Sequence, residues 1–186
     1  GPDLPDLMSS AAIAATTGQE RDSWRKVIQS HRKEYFADLF LAAYVGDAAK
    51  GFLVEFCPNQ PATFTHPSTA SRISLLDDFA NGRSNSILDL FQNALSARGL
   101  NPLSKRFSSI NIADAFDNVR PFSPSSDQEV YGLFEAGWAF LQKVWRTPTH
   151  LWVTLSEDER DRVANDLPEN WIRNRRIWEG WMSTPN

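Results

Sequence analysis

The sequence has one cysteine, no long apolar run and no excess of positive charge. Cys57 stands alone among 186 residues, so no disulfide can form within the chain. The sequence also contains no Asn-x-Ser/Thr acceptor for N-glycosylation and no recognisable signal peptide. Together these absences predict an intracellular protein, either cytoplasmic or nuclear. No membrane span is expected, because no stretch of about 18 apolar residues occurs.

Positive charge is in deficit, since 19 Lys and Arg face 23 Asp and Glu and the net charge is −4 at pH 7. Nucleic-acid binding through a broad surface needs clustered cations that neutralise phosphates. Nucleic acid is therefore a disfavoured partner, and only a local basic patch would contact it. The expected partner is another protein.

Catalytic motifs are missing as well. The sequence has no phosphate-binding glycine-rich loop, no G-x-S-x-G and no H-E-x-x-H. His31, His66 and His150 are scattered and accompany a single cysteine, which is not a zinc-binding pattern. His31 lies on an apolar helix face without an acidic partner there, so we expect a hydrogen-bonded core or boundary histidine. Cys57 is expected to be a small buried residue. These features favour a non-enzymatic protein without metal or cofactor.

One short acidic segment contains Asp77, Asp78, Asn81, Asn85 and Asp89. In residue type it resembles the magnesium-binding motifs of class I terpene synthases. In that family, however, the two motifs lie on different helices far apart in sequence, and the catalytic domain is much longer than this chain. Gly82 also interrupts the helix between the two groups. The spacing favours a solvated acidic helix end.

Aromatic residues, in contrast, are abundant, with seven Trp and twelve Phe. A chain of this length can bury a substantial aromatic core as one domain. Gly1-Pro2 is typical of the remnant left when a protease removes an expression tag. The natural sequence is then expected to begin at Asp3 and to be a piece of a longer protein. The predicted organisation is a remnant over 1–2, an N-terminal arm over 3–17 and a single helical domain over 18–186.

The strongest helical pattern runs over residues 127–146. Ser126 and Glu129 predict a capping box at its start, and Pro148 prevents its continuation. Two apolar seams lie side by side along it. The first seam is Tyr131, Phe134, Trp138, Leu141 and Trp145, and the second is Val130, Leu133, Gly137, Phe140 and Val144. A helix this apolar is expected at the centre of the fold, with Trp138 buried in the middle of the core.

The remaining patterns predict an all-α, single-domain bundle of about seven helices around the 127–146 helix. Capping residues and glycine stops predict helix starts at Thr17, at Asp47, at Ser84 or Asn85, at Ser156 and at Asp166, the last with Pro168 in its first turn. Helices are also predicted over 73–79 and 112–119. Periodicity leaves 51–56 either helical or extended, so a minor two-stranded ribbon pairing 51–56 with 150–155 is the alternative.

The last helical segment combines tryptophan with arginine, the residues that dominate binding hot spots. The expected partner-binding residues are Arg173, Arg175, Arg176, Trp178 and Trp181. Helical spacing puts Trp171, Trp178 and Trp181 on one face, which we expect mostly to anchor the helix, while the arginines on other sides face a partner.

These features predict a non-enzymatic protein–protein interaction domain, an adaptor or scaffold. Two alternatives stand beside it. One is a nucleic-acid or phosphopeptide reader that uses the C-terminal arginines. The other is an enzyme or carrier whose aromatic residues line an apolar ligand pocket.

Overall fold

The computed structural model describes residues 18–183, apart from the side chains of Gln19, Glu20, Trp145 and His150. The predicted remnant 1–2, the predicted arm 3–17 and its capping residue Thr17 lie outside this range. Within it the chain forms seven α-helices, one 3₁₀ helix and no β-strand, which confirms the all-α prediction. The α-helices are α1 (Gly18–Val45), α2 (Asp47–Phe56), α3 (Thr69–Asn81), α4 (Ser86–Ser96), α5 (Ala113–Asp117), α6 (Asp127–Arg146) and α7 (Glu157–Met182). The 3₁₀ helix spans His150–Thr154.

The chain divides into two compact units, and each has its own apolar core. Of the described residues, 18–105 form unit 1, which contains α1 to α4, and 106–183 form unit 2, which contains α5 to α7. The prediction of one domain over 18–186 stays a prediction.

Unit 1 is built around the buried face of α1. Its core consists of Tyr35, Leu39, Ala42, Ala49, Leu53, Leu75, Leu76, Ile87 and Phe91. Glycine and asparagine set the turn between α3 and α4. Gly82 ends α3 in the left-handed conformation (φ 64°), which costs little without a Cβ, and the Asn85 side chain accepts from Ile87 N at the start of α4. The helix end at Gly82 is confirmed, and of the two predicted caps, Ser84 and Asn85, the structure has Asn85.

The ribbon pairing 51–56 with 150–155 does not form, because 51–56 lies in α2 and most of 150–155 lies in the 3₁₀ helix. The alternating residues Phe52, Val54 and Phe56 that suggested a strand are all about half exposed or more. The buried positions of α2 are Ala49 and Leu53, which are four residues apart. The buried residues therefore follow the helical period, and the alternating apolar residues lie on the exposed side of α2.

Unit 2 has an aromatic core made by α5, α6, α7 and the 3₁₀ helix. Its members are Ile112, Phe116, Leu133, Phe140, Val144, Trp152, Ala164, Leu167 and Trp171. The bounds predicted for α6 are confirmed, and Ser126 caps it by accepting from Glu129 N. The Glu129 carboxylate, however, accepts from the backbone N and hydroxyl of Ser125 rather than from the backbone of Ser126.

The second apolar seam of α6 supplies buried residues to the core of unit 2, and of the first seam Leu141 packs against this core as a partly buried residue. Leu133, Phe140 and Val144 are buried, whereas Phe134 is 49% exposed. Trp138 is only half-buried, so the prediction that it occupies the middle of the core is wrong. Both seams share one period, and periodicity therefore could not choose between them.

α7 is one continuous helix with Pro168 inside it, not two helices separated at Asp166. A proline within a helix removes one backbone hydrogen bond and normally kinks or ends the helix. Here tertiary packing holds it: a Cβ built on Gly137 of α6 would lie 3.9 Å from Pro168 Cγ and 3.7 Å from Phe116 Cζ. The ring of Pro168 therefore packs against α6 beside Gly137. A complete capping box at Ser156 and Glu159 starts the helix, as predicted.

Candidate functional site

The candidate site is the C-terminal end of α7, which is longer than the helix it packs against. α7 has 26 residues and α6 has 20, so at 1.5 Å per residue they differ by about 9 Å. The Arg175 Nη2 atom donates to Asp127 Oδ1 at 2.9 Å, which sets Arg175 beside the first turn of α6. Residues 176–182 are therefore expected to extend past the start of α6.

The side chains of α7 change from buried to exposed where the helix extends past the start of α6. Ala164, Leu167 and Trp171 share one side of the helix and are buried. A rotation of 100° per residue puts Trp178 and Met182 on the same side, yet these residues are 61% and 69% exposed. The face that packs unit 2 thus continues into its exposed end.

Four large apolar side chains are exposed at this end of α7. We call them the C-terminal apolar surface: Ile177, Trp178, Trp181 and Met182. Trp181 has the largest exposed fraction of the four, 79%. Single exposed apolar residues are common on protein surfaces, but a contiguous group of this size is typical of an interaction site.

The three predicted arginines have different environments. Arg173 is exposed and pairs with Glu169 one turn earlier. Arg175 has a side chain only 13% exposed and is held by Glu179 at 2.6 Å and by Asp127 at 2.9 Å. Arg176 is exposed and has no ion pair within the described part of the chain. Arg175 therefore ties α7 to α6, and Arg176 has the cation most available to a partner.

The prediction that the tryptophan face mostly anchors the helix is correct for Trp171 and wrong for Trp178. Trp171 does anchor the helix, because it is 3% exposed and contacts the rings of Phe116 and Phe122 at centroid distances of 5.1 and 5.7 Å. Trp178 does not pack against the body as predicted. Helical spacing shows which residues share a face but not where the neighbouring helix starts.

Two other sets of residues considered from the sequence have structural roles in unit 1. Asp77 accepts from Lys50 at 2.7 Å, while Asp78 accepts from Arg83 at 2.8 Å and from Asn85 at 2.7 Å. The Asn85 and Arg83 hydrogen bonds keep the pKa of Asp78 below its ordinary value. This acidic segment stabilises the ends of α3 and α4.

His31 is buried, and its Nε2 donates to the carbonyl oxygen of Thr63 at 2.8 Å. The prediction of a hydrogen-bonded core histidine is confirmed. The bond ties the loop that precedes α3 to α1. His66 of the same loop is exposed, and Cys57 is half-buried rather than buried.

Unit 1 also contains an open groove of about 470 Å³ that the sequence did not indicate. Its lining includes the apolar residues Val54, Ala70 and Ile73 and the charged residues Asp77 and Arg83. The volume is in the range of small-ligand sites. Because Lys50 and Asp78 already pair with the two charged residues, the groove has no unpaired charge to orient a ligand.

No metal-binding group of three or more His, Cys, Asp or Glu side chains occurs among residues 18–183. None of the helices described there is long and apolar enough to cross a membrane. No protein family, curated protein or solved structure matches the chain.

Proposed function

We propose that this chain is a non-enzymatic protein-interaction module that inserts the C-terminal end of α7 into an apolar groove of a partner protein. The observation that carries the proposal is the exposure of Trp178 and Met182 on the side of α7 whose earlier residues are buried. An exposed two-turn helix end of this kind suits the mode in which anchors at i, i+3 and i+4 fill a groove. Trp178, Trp181 and Met182 have that spacing.

The charges beside the apolar surface indicate what the rim of the partner groove contains. Residues 173–182 include three arginines and one glutamate, so this end of α7 is positive within a chain of net charge −4. Arg173 and Arg176 lie away from the apolar side by rotation along the helix. A partner with carboxylates on the rim of its groove would meet Arg173, while Arg176 on the far side of the helix adds longer-range attraction, and complementary charge supports specificity and fast association.

A phosphate reader is less well supported by the same residues. Arg173 and Arg175 already hold carboxylates, so a phosphate would have to displace Glu169, Glu179 or Asp127. Only Arg176 is left without such a partner among the described residues. Recognition of phosphate normally uses several converging cations.

The experiment is site-specific photo-crosslinking in the source cells. A photoreactive amino acid replaces Trp178 in one version of the protein and Leu151 in a control version. Leu151 is also in unit 2 and is 58% exposed, so the control has comparable accessibility. We expect a discrete crosslinked protein from position 178 only, through a segment that contains apolar and acidic residues.

Paired substitutions then measure the contribution of each surface. Trp178→Ala with Met182→Ala should abolish capture of the crosslinked partner, while Leu151→Ala with Val153→Ala should leave it unchanged. Arg173→Ala with Arg176→Ala should weaken capture without shifting the melting temperature. Equal capture by the Trp178 and Leu151 double variants would refute the proposal.

A further inference from the structure

A second feature lies in unit 1, where the motif Ser-x-Arg-Lys occurs at 23–26 and again at 30–33 of α1. Seven residues are nearly two turns of a helix, so equivalent residues return to one side with a drift of about 20°. The cations therefore form two rows, Arg25 with Arg32 and Lys26 with Lys33. Within each row they are about 10 Å apart along the axis at 1.5 Å per residue.

Between the two rows the helix carries Gln29, Phe36 and Phe40. A rotation of 100° per residue places these three in the sector that the Arg row and the Lys row flank. Phe40 is 51% exposed and its ring lies 6.4 Å from that of Phe36, which is half-buried. The opposite side of α1 carries the buried residues Val27, His31 and Asp38. We call the four cations and these three residues the basic face of α1.

The cations of the basic face are poorly neutralised. Lys26, Arg32 and Lys33 have no ion pair among the described residues, and Arg25 has only Asp22 at 3.4 Å, with both side chains at least 70% exposed. The Arg32 Nε atom is buried without a hydrogen-bond partner.

Other cations of unit 1 differ. Lys50, Arg72 and Arg83 are each held by a carboxylate at 2.7 or 2.8 Å. In a chain with more acidic than basic residues, Lys26, Arg32 and Lys33 thus lie together without an ion pair among the described residues, and Arg25 has only the exposed pair with Asp22.

We propose that the basic face of α1 docks an acidic amphipathic helix of a partner protein. Two helices that lie side by side repeat their contacts every seven residues, which is the repeat of the two Arg-Lys pairs. A partner helix with carboxylates at this spacing on both sides of an apolar seam would meet both rows of cations. Its seam would contact Gln29, Phe36 and Phe40.

Single-stranded nucleic acid fits this face less well. Such ligands stack their bases on aromatic rings as well as binding cations. Phe36 is half-buried and packed edge-on against Phe91 at 5.4 Å, so Phe40 is the one ring of this face with a large exposed area for a base. The mixed apolar and charged pattern suits a helix better than a phosphate backbone.

The test uses fluorescence anisotropy with the full chain and three labelled probes. The first probe is a synthetic three-heptad peptide with leucines along one seam and glutamates on both sides of it. The second has the same composition in an order without the seven-residue repeat, and the third is oligothymidine. We expect the heptad peptide to bind most tightly.

Matched variants locate the binding. Lys26→Glu with Lys33→Glu should weaken binding of the heptad peptide about tenfold, as expected when two exposed ion pairs become repulsive. Arg98→Glu with Arg106→Glu changes the net charge equally at two other exposed cations and should have little effect. Phe40→Ala should weaken peptide binding by a smaller factor. All variants should keep the wild-type circular dichroism spectrum.

Three outcomes would overturn the proposal. One is equal affinity for the heptad and scrambled peptides, which would make the interaction merely electrostatic. Another is tighter binding of oligothymidine, which would identify a nucleic-acid surface. The third is an equal loss of binding in the Lys26/Lys33 and Arg98/Arg106 variants.

Discussion

Unit 1 closes the edge of its core with charged side chains, whereas unit 2 fills its core with aromatic rings. In unit 1, Arg72 donates from Nε and Nη2 to the two carboxylate oxygens of Asp38, both at 2.7 Å, and the two side chains are 14% and 9% exposed. In unit 2, the ring centroids of Phe116 and Phe140 are 4.5 Å apart, and Trp152 lies 5.0 Å from Phe140. Stability should therefore depend on paired charge in unit 1 and on filled volume in unit 2.

The largest expected loss comes from the aromatic core of unit 2. Trp171→Ala should lower the free energy of unfolding by about 3–5 kcal/mol, because it removes a buried ring and leaves a cavity. Trp178→Ala, on the exposed end of the same helix, should change it by only about 0.5 kcal/mol. Denaturant melts of the two variants measure the difference. Similar losses would mean that Trp178 is packed and that the C-terminal apolar surface does not exist.

Breaking the charged pair of unit 1 should cost nearly as much. Asp38→Asn leaves the Arg72 guanidinium largely buried with only Glu34 Oε2 at 3.6 Å, so we expect a loss of about 3 kcal/mol. Replacing both partners, Asp38→Leu with Arg72→Met, should cost less than the single change because no uncompensated charge is buried. Chemical denaturation of the single and double variants checks this order. If the double variant is less stable than the single variant, the Asp38–Arg72 pair contributes more to the free energy of unfolding than the neutralisation of two buried charges.

A smaller loss is expected where α6 passes close to the backbone of unit 2. A Cβ on Gly132 would lie 2.1 Å from the carbonyl oxygen of Ser108, which is closer than atoms can approach. Gly132→Ala should therefore destabilise the protein by about 1–3 kcal/mol, the usual range for overpacking. Gly137→Ala on the same helix meets its nearest atom at 3.7 Å and should be neutral or stabilising. Thermal melts that rank these two variants in the opposite order would contradict the packing of α6.

The smallest effect concerns the acidic turn of unit 1. Asn85 and Arg83 keep the pKa of Asp78 in the folded protein below its ordinary value of 3.8. A carboxylate with a lowered folded pKa stabilises the fold fully above the unfolded pKa, and this contribution is lost as the pH falls through the folded pKa. The stability difference between wild type and Asp78→Asn should therefore be constant near neutral pH and shrink below about pH 4. We expect it to stay under about 1 kcal/mol, as for surface pairs. A difference that grows on acidification would reverse the assigned direction of the shift.

Much of the local structure could be predicted because its causes are local. Ser126, Ser156 and Asn85 accept hydrogen bonds from backbone groups within three residues, and Gly82 permits a left-handed turn that other residues rarely adopt. Such interactions are complete within one or two turns of chain. The bounds of α6 therefore followed from the sequence without knowledge of its neighbours.

The candidate surfaces could be predicted only in part. Composition singled out the arginines and tryptophans near the C-terminus, but which of them are exposed depends on how far α6 extends beside α7. The repeated Ser-x-Arg-Lys motif of α1 was a readable signal for the basic face. What the motif does depends on how few of its cations are paired with carboxylates among the described residues, and that is a property of the folded unit.

The sequence by itself determined both ends of α6, the end of α3 at Gly82 and the start of α7 at Ser156, because caps, glycines and apolar periods act over a few residues. Only the tertiary structure decided which seam of α6 is buried and that Pro168 lies inside α7, where its ring packs against α6 beside Gly137. It also decided that α7 continues past its partner helix and exposes Trp178. The physical reason is the same in each case, because a side chain is buried only where a neighbouring element covers it. The apolar pattern of one helix contains no information about the length, spacing or shape of that neighbour.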